Sequence, residues 1–329
     1  MKKILIIQTA FLGDVILATP VVEQLHQDYP DSTIDILIRK GNEGLFIKHP
    51  FLHEIIIWNK KNKKIFNLLK IIKKVRSNKY DTIYNLQRFF SSGLITAFSG
   101  AQLTVGFDKN PLSFLFKKKI KHIISSGNQP IHEVDRNLSL VSDNNNKATI
   151  RLYPSEIDYL NTKHLKKIKY ICIAPASVWF TKQYPALKWI EFIDQISNDF
   201  NVYLLGSSDD CKICLEIIKN STNKNVKDLS GELSLLETTA LMHDAQMNFC
   251  NDSAPLHLAS SVNAPVTAVF CSTIPAFGFG PLSDNSKIIE INKPLDCRPC
   301  GLHGKKECPE KHFKCAMDIQ TERLLKQLN

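Results

Sequence analysis

The chain of 329 residues contains no long apolar run. Nowhere do about 18 consecutive residues have the composition of a membrane-spanning helix. The opening Met1-Lys-Lys is followed by only a short apolar stretch, Ile4 to Ile7, which is too short for a secretory signal peptide. Without an export signal, the nine cysteines indicate thiols or metal ligands more than disulfides. We therefore expect a cytoplasmic protein.

The sequence also lacks the signatures of nucleic-acid-binding proteins. It has no zinc-finger, homeodomain or RRM motif, and no interleaving of aromatic with basic residues. The net charge is +10, and residues 1–150 carry 22 Lys and Arg against 12 Asp and Glu, which leaves 20 against 20 for residues 151–329. The positive excess lies in the first half. An anionic lipid, or a phosphorylated sugar at a membrane surface, is at least as consistent with this positive charge as a nucleic-acid partner is.

Patterns typical of buried strands recur along the chain, separated by segments long enough for helices. This rhythm predicts parallel sheets, and 329 residues exceed what one hydrophobic core usually serves. We predict an α/β protein of two domains, 1–155 and 156–329, with the polar stretch 142–165 as the passage between them. The predicted strands are 3–8, 33–38, 54–58 and 81–86 in the first half, and 169–174, 201–205, 247–250 and 265–271 in the second.

Glycine is scarce in the turn after the first predicted strand. A dinucleotide-binding fingerprint needs three glycines there, and only Gly13 is present, so the turn is a poor phosphate cradle. The turn does place one carboxylate, Asp14, at the mouth of the strand. Asp14 is either the N-cap of the next helix, in which Pro20 predicts a kink, or a functional carboxylate.

The segment 246–262 is typical of a buried strand, a tight polar turn and the first turn of a helix. Asp252 and Ser253 are turn and N-cap residue types, and Pro255 suits a first helical turn, where no amide donor is needed. Backbone amides and the positive end of the helix dipole favour a phosphate or diphosphate at such a junction. A plain strand-to-helix connection with an aspartate cap is the alternative.

Two loops of the second half follow predicted strands at the same edge of the sheet. Residues 174–185 carry Lys182 among hydroxyl and aromatic side chains, which makes it a candidate counter-charge for a diphosphate or else a surface lysine. In residues 206–210, a carboxylate could hold ribose hydroxyls or cap the following helix. Because the carboxyl ends of parallel strands meet at one edge, ligand binding is expected there.

Two segments of the first half are rich in lysine. Residues 59–76 predict a helix with an apolar stripe and lysines over the rest of its surface, and residues 117–121 form a second basic cluster. Both are either solvated faces or a surface that meets anionic lipid or a phosphorylated acceptor. The stripe consists of Ile65, Leu68, Leu69, Ile72 and Val75.

Four motifs, at their spacings, resemble the heptosyltransferases of glycosyltransferase family 9. They are residues 11–20, the Thr181-Lys182 loop, residues 229–235 and residues 251–257. The resemblance spans nearly the whole chain, and the conjunction of motifs is more specific than any one. It implies a GT-B fold, with an acceptor-binding Rossmann-like domain first and a nucleotide-sugar-binding one second, facing a cleft. It also implies transfer of heptose from ADP-heptose to the inner core of lipopolysaccharide, at the inner membrane.

Site residues follow from the resemblance position by position, with Asp14 as the catalytic base. Many members of the family have Thr-Gly where this chain has Ser253-Ala254. The donor residues that the resemblance implies are Ser177, Lys182, Asp209, Leu233, Asp252, Ser253, Ala254, Leu256 and His257. The candidate acceptor contacts are Gly13, Lys60, Lys61, Lys63 and Lys64.

The implied reaction is an inverting transfer by single displacement. Asp14 would take the proton of the acceptor hydroxyl, while Lys182 and the amides after Asp252 would stabilise the departing diphosphate, so no metal cofactor is required. Two other functions remain open. One is a GT-B enzyme of the cell envelope with a different nucleotide-sugar, and the other is a non-catalytic protein that binds a sugar nucleotide or lipid. A nucleic-acid partner is not expected.

Four cysteines lie close together near the end of the chain, at Cys297, Cys300, Cys308 and Cys315. Four thiolates can bind zinc tetrahedrally, although the spacing between the second and third is not that of a standard zinc finger. A structural zinc site, disulfides and free thiols all remain open for this Cys-rich segment, residues 297–315. A C-terminal helix is expected after it.

Overall fold

The computed structural model describes residues 2–61, 63–126, 129–142 and 148–328. The chain divides into two compact units, Met1–Tyr153 and Pro154–Asn329. Each unit contains a six-stranded sheet in which all paired strands run parallel. The predicted fold class, an α/β protein with two parallel sheets, is confirmed. Residues 143–147 of the predicted polar passage lie outside the described residues.

The sheet of the first unit has the strand order β3-β2-β1-β4-β5-β6. Its central strand is fully buried from Ile4 to Ile7, as expected when helices cover both faces of a parallel sheet. The sequence patterns did not predict β5 or β6, because β5 contains Gly106 and β6 is short and largely exposed. The strands are β1 (Lys3–Gln8), β2 (Thr33–Arg39), β3 (Glu54–Trp58), β4 (Thr82–Asn85), β5 (Leu103–Phe107) and β6 (Lys118–Ile120), followed by the short antiparallel pair β7 (Ser125–Ser126) and β8 (Gln129–Pro130).

The helices of the first unit are α1 (Leu12–Ile16), α2 (Thr19–Asp28), α3 (Lys64–Ser77), α4 (Phe90–Ala97) and α5 (Glu133–Leu138). The predicted kink at Pro20 is wrong, because the segment after β1 forms two separate helices. Pro20 is the second residue of α2, a position where the missing amide breaks no helical hydrogen bond.

The predicted apolar stripe of α3 is only partly buried. Ile71 and Val75 lie in the core of the unit, with Leu68 and Ile72 packed against it. These positions follow the spacing of one helix face. The first turns of the helix instead present Ile65 and Leu69 to solvent, with 76% and 59% of their surface exposed.

The sheet of the second unit has the strand order β11-β10-β9-β12-β13-β14. Its two central strands are paired so that Cys250 lies opposite Ala174, and the loops that follow them therefore start side by side. The strands are β9 (Tyr170–Ala174), β10 (Asn201–Leu204), β11 (Val226–Asp228), β12 (Met247–Asn251), β13 (Val266–Phe270) and β14 (Ser286–Glu290).

Helices on the second sheet bury an aromatic core, in which Trp189, Phe192 and Phe249 pack edge to face. The last helix reaches this core through Leu324. No helix among the described residues is long and apolar enough to cross a bilayer. The helices are α6 (Glu156–Thr162), α7 (Ala186–Ile193), α8 (Cys211–Asn220), α9 (Leu235–His243), α10 (Ala254–Ser261), α11 (Lys314–Met317) and α12 (Glu322–Leu325).

Both sheets have a point at which the strand order reverses. In the first unit it lies between β1 and β4, and in the second between β9 and β12. The loops that leave the carboxyl ends of such strands diverge to opposite sides of the sheet and open a crevice for a ligand. The chemistry is therefore expected in the loops after β1, β9 and β12.

Candidate active site

Asp14 is the third residue of α1, in the loop region after the central strand of the first sheet. The N-cap of α1 is Phe11, and it makes no side-chain capping bond. The interpretation of Asp14 as the N-cap of its helix is therefore wrong. The half-buried carboxylate lies in the first turn of α1, where the helix dipole stabilises negative charge.

Lys60 follows the edge strand β3, and its side chain reaches the end of β1. The Nζ atom of Lys60 donates to the carbonyl oxygen and the Oγ1 atom of Thr9, both at 2.7 Å, and it lies 4.6 Å from the ring centre of Trp58. Burial, reinforced by the positive charges of Arg39 and Lys64, lowers the pKa of Lys60 to about 8. Among the predicted acceptor contacts, Lys60 is half-buried and bonded at this strand end. Lys61, Lys63 and Lys64 are exposed, and Gly13 is half-buried in α1.

A second carboxylate lies near Asp14 that the sequence did not single out. Glu133, on α5, accepts from the Nη2 and Nε atoms of Arg136 at 2.6 and 2.8 Å. Burial raises the pKa of Glu133, Arg136 opposes this, and the nearby Asp14 carboxylate raises it further. Asn137, one helical turn later, donates to the carbonyl oxygen of Leu17 at 3.3 Å and so fastens α5 to the end of α1.

In the second unit, Lys182 and Asp252 form an ion pair. The Nζ atom of Lys182 lies 2.7 Å from Oδ2 of Asp252, and the two side chains are 16% and 6% exposed. The same carboxylate oxygen accepts from the hydroxyl of Thr273 at 2.6 Å. Lys182 is therefore part of a buried network at the strand ends, and the interpretation as a plain surface lysine is wrong.

Asn251 joins the two loops that carry this pair. Its Nδ2 atom donates to the carbonyl oxygen of Pro175 at 2.8 Å, and its Oδ1 atom accepts from the amide of Tyr184 at 2.9 Å. The loop after β9 is thereby held against the end of β12. This residue was visible in the sequence as part of the turn motif, but its partners lie 76 and 67 positions away.

The predicted phosphate-binding turn divides into an accessible and a buried part. Ser253 is the N-cap of α10 with extended backbone, and Pro255 lies in the first turn as expected. Ser253 and Ala254 are half-buried, whereas Leu256 and His257 are buried. The amide of Leu256 already donates to the carbonyl oxygen of Ser253. Ligand contact at this turn is thus expected from the first two positions.

The remaining predicted donor residues lie around this centre in different settings. Ser177 is half-buried, and its carbonyl oxygen accepts from Nε2 of Gln183 at 2.6 Å. Leu233 is half-buried directly before Ser234, the N-cap of α9. Asp209 is exposed, and the capping role considered for a carboxylate of this loop belongs to Asp210, the N-cap of α8, which also forms a capping box with Ser207. Asp209 instead lines a pocket of about 650 Å³ that also contains Phe180, Lys212 and Phe313.

The four C-terminal cysteines are thiols near one another. Burial, together with the neighbouring Cys300 and Cys308, raises the pKa of Cys315 to about 12. Burial also raises the pKa of Cys300. Over the described part of the chain, no group of three or more His, Cys, Asp or Glu side chains is arranged to hold a metal ion. A zinc site at these cysteines stays a prediction.

Two residues of the donor network were missed in the sequence. Thr273 follows β13 at the level of Asp252, and Arg298 donates to the carbonyl oxygens of Cys271 and Thr273, both at 2.7 Å. The dipeptide Ser272-Thr273 directly after the predicted strand 265–271 was a signal for the first. No local signal marks Arg298, which lies in the Cys-rich segment.

Comparison with known proteins gives consistent matches over this architecture. The family model of glycosyltransferase family 9 (heptosyltransferase) matches residues 68–313. Lipopolysaccharide heptosyltransferase 3 of Escherichia coli is 29% identical over 295 residues, covering 84% of this chain and 85% of that protein.

Solved structures share the fold along the whole chain. The structure of E. coli ADP-heptose lps heptosyltransferase II superposes with a TM-score of 0.83 at 22% identity, covering 100% of this chain and 98% of that one. E. coli heptosyltransferase WaaC with ADP superposes with a TM-score of 0.75 at 16% identity, covering 99% and 100%. At these identities the superpositions establish the fold, and the match of the family model to three quarters of the sequence establishes the kinship. The chain belongs to glycosyltransferase family 9, the heptosyltransferase family, and is a glycosyltransferase.

Proposed function

We propose that this protein transfers a heptose from ADP-heptose to the inner core of lipopolysaccharide, with inversion at the anomeric carbon. The observation that carries the proposal is the Lys182–Asp252–Thr273 network beside the N-terminus of α10. A half-buried lysine and a helix N-terminus at one strand edge provide the positive field that a nucleoside diphosphate needs. The names of the relatives, lipopolysaccharide heptosyltransferases, support heptose as the sugar and lipopolysaccharide as the acceptor.

Each part of the network has a distinct role in the donor site. Lys182 offsets the charge that develops on the departing diphosphate, and the amides at Ser253 and Ala254 add to this effect. Asp252 holds the sugar hydroxyls, with its orientation set by Thr273. Because the lysine and the helix N-terminus already supply positive charge, the reaction requires no divalent metal.

Asp14 acts as the general base on the acceptor side. It is a half-buried carboxylate in α1, the short helix after the central strand of the first unit, and Glu133 and Arg136 lie near it. As the acceptor hydroxyl attacks the anomeric carbon, Asp14 takes its proton. A positioned general base contributes roughly 10²–10⁴-fold to such a step.

The first unit also carries the surface that meets the membrane-embedded acceptor from the cytoplasmic side. Exposed apolar side chains stand at the start of α3, where Ile65 and Phe66 are 76% and 53% exposed, and Phe114 is 70% exposed after β5. Lys63 and Lys64 flank the first of these groups and Lys117 follows the second. Aromatic and aliphatic side chains beside lysines are the composition that binds the interface of an anionic bilayer. The protein is thus a peripheral protein of the inner membrane.

The test is a donor and acceptor assay with purified protein. Release of ADP should require both ADP-heptose and a lipid A–Kdo acceptor, and the product should have the inverted anomeric configuration. A UDP-sugar or GDP-sugar that replaces ADP-heptose with equal kcat/KM would assign the chain a different cell-envelope substrate, to which the Ser253-Ala254 departure points. Tight ADP binding without turnover of any donor would instead indicate a non-catalytic sugar-nucleotide-binding protein.

A further inference from the structure

The start of the Cys-rich segment crosses the donor network. Residues 298–305, here called the strap, follow β14 and contact the donor loops at both ends. At the first end, Arg298 donates to the carbonyl oxygens of Cys271 and Thr273, and the amide of Cys300 donates to that of Ser272 at 2.9 Å. Three consecutive carbonyl groups after β13 are thus bound by the strap, which determines where the Thr273 hydroxyl meets Asp252.

At its other end the strap holds the loop that carries Lys182. The amide of Lys305 donates to Oγ1 of Thr181 at 2.8 Å, and the amide of Thr181 donates to the carbonyl oxygen of Lys305 at 3.1 Å. The hydroxyl of Ser272 also lies 2.9 Å from that of Thr181. Thr181 is 1% exposed, so this reciprocal pair is shielded from water and strongly directional.

Between these anchors the backbone of the strap packs directly on the stem of Lys182. Gly304 has φ +75°, and a Cβ atom placed on it would lie 2.9 Å from Cγ of Lys182 and 3.1 Å from Oγ1 of Thr181. The contact with Cγ of Lys182 is shorter than those that real Cβ atoms make, and the contact with Oγ1 of Thr181 is tight, so the lysine would have to move aside. Only glycine lets the strap and Lys182 lie this close together.

We propose that the strap is a positioning element of the donor site, which places Lys182 and Thr273 so that lysine and Asp252 present their charges to the donor together. The inference rests on the donor site proposed above and assigns to the Cys-rich segment a role in that site. Its residues act through Lys182 and Asp252, and the strap is expected to govern donor affinity and turnover while acceptor affinity stays unchanged.

Two glycines of the strap provide a matched pair of variants. Gly304→Ala adds a methyl group against Lys182, and Gly301→Ala adds one where nothing lies within 4 Å. Both glycines have positive φ, at +75° and +106°, so both variants carry backbone strain, and a loss shown only by Gly304→Ala cannot come from that strain alone. Lys182→Met is made in parallel to report on the donor site itself. ADP affinity is measured by calorimetry, and KM for donor and for acceptor by steady-state kinetics.

ADP affinity should fall about tenfold or more in Gly304→Ala, the effect of a displaced charge-assisted contact, and should stay within about twofold of wild type in Gly301→Ala. KM for the acceptor should not change in either. If Lys182→Met loses ADP affinity while Gly304→Ala keeps it, the strap is only structural and the inference is wrong. If Lys182→Met binds ADP as well as wild type, the proposed donor site is wrong and the inference falls with it.

A second pair of variants serves if Gly304→Ala does not fold. Thr181→Val keeps the shape of the side chain but removes the hydroxyl that bonds Lys305 and Ser272, and Thr181→Ser retains that hydroxyl. Donor affinity should fall in Thr181→Val and be restored in Thr181→Ser. Equal ADP affinity in the two folded variants would also overturn the inference.

Discussion

Asp14 shows how a single position decides between a structural and a chemical role. The N-cap of α1 is Phe11, which makes no side-chain capping bond, and Asp14 lies two residues inside the helix start at Leu12. Asp14 lies after the central strand of a parallel sheet, and a second, half-buried carboxylate, Glu133, lies near it. Such grouping of carboxyl groups is typical of sites that move protons.

Replacing Asp14 with Asn should abolish the base without disturbing the fold. We expect kcat to fall by about 10²-fold or more, because an amide cannot accept the proton, while the melting temperature and the ADP affinity stay at wild-type values. Asp31→Asn, at an exposed carboxylate of the same unit, is the control and should keep full activity. Turnover by Asp14→Asn within about threefold of wild type would return Asp14 to a structural role.

At the scale of elements, α3 combines a buried face with an exposed start. Ile71 and Val75 in the core, with Leu68 and Ile72 packed against it, attach the helix to the sheet, and Ile65, Phe66 and Leu69 remain exposed beside lysines. A solvated helix face does not need exposed apolar residues, so the composition favours a surface that meets a partner.

Binding to anionic vesicles should depend on the lysines of this element. Each lysine near an anionic leaflet is worth about 1 kcal/mol, so Lys63, Lys64 and Lys70 replaced together by Gln should weaken binding by about two orders of magnitude. The matched control replaces Lys219, Lys224 and Lys227 of the second unit, which are also exposed. Co-sedimentation is the measurement, and equal loss in both triple variants would show that only net charge matters.

The Cys-rich segment permits a separate prediction about metal. If the four thiolates bind zinc, protein purified without chelators should contain about one zinc per chain by elemental analysis, and a Cys297→Ser/Cys315→Ser double variant should contain none. Because metal binding is coupled to folding, a strong chelator should also lower the melting temperature of the wild type. Wild-type protein without stoichiometric zinc would contradict the zinc prediction, and hydrogen bonds without a metal would then hold the segment in place.

At the scale of the whole molecule, stability should depend on pH through two histidines. Burial lowers the pKa of His49 to about 4, and burial together with Arg88 and Arg136 lowers the pKa of His122 to about 4. The unfolded chain has histidine pKa values near 6.5 and binds more protons between about pH 6.5 and about pH 4. The free energy of unfolding should therefore fall as the pH drops through this window.

The measurement is urea unfolding at pH 7 and pH 5 for wild type and a His49→Asn/His122→Asn variant. Wild type should lose more stability than the variant between the two pH values. The raised pKa of Glu23 has the opposite effect, because it stabilises the fold at low pH. The quantity compared is therefore the change in unfolding free energy of wild type minus that of the variant. An equal change in both proteins would contradict the prediction.

The sequence by itself predicted two domains with parallel sheets, four strands of each sheet, and the turns that follow β1 and β12. These features depend on local patterns, because burial on both faces makes a central strand apolar throughout and a proline or a polar N-cap marks a helix start. Asp14, Lys182 and Asp252 could be singled out for the same reason, since each lies in a loop after a predicted strand. The split before Pro20 and the exposed start of α3 departed from the predicted pattern.

Only the tertiary structure decided which of these residues meet. The pairing of Cys250 with Ala174 sets two loops side by side and brings Lys182 to Asp252, and contacts across 91 and 124 positions join Thr181 to Ser272 and Lys305. Glu133 and Arg298 carry no local signal of function, because their roles depend on the charges and carbonyl groups that the fold places around them. A one-dimensional pattern records burial and turn chemistry, whereas the partners of a buried polar group are determined by strand register and loop packing.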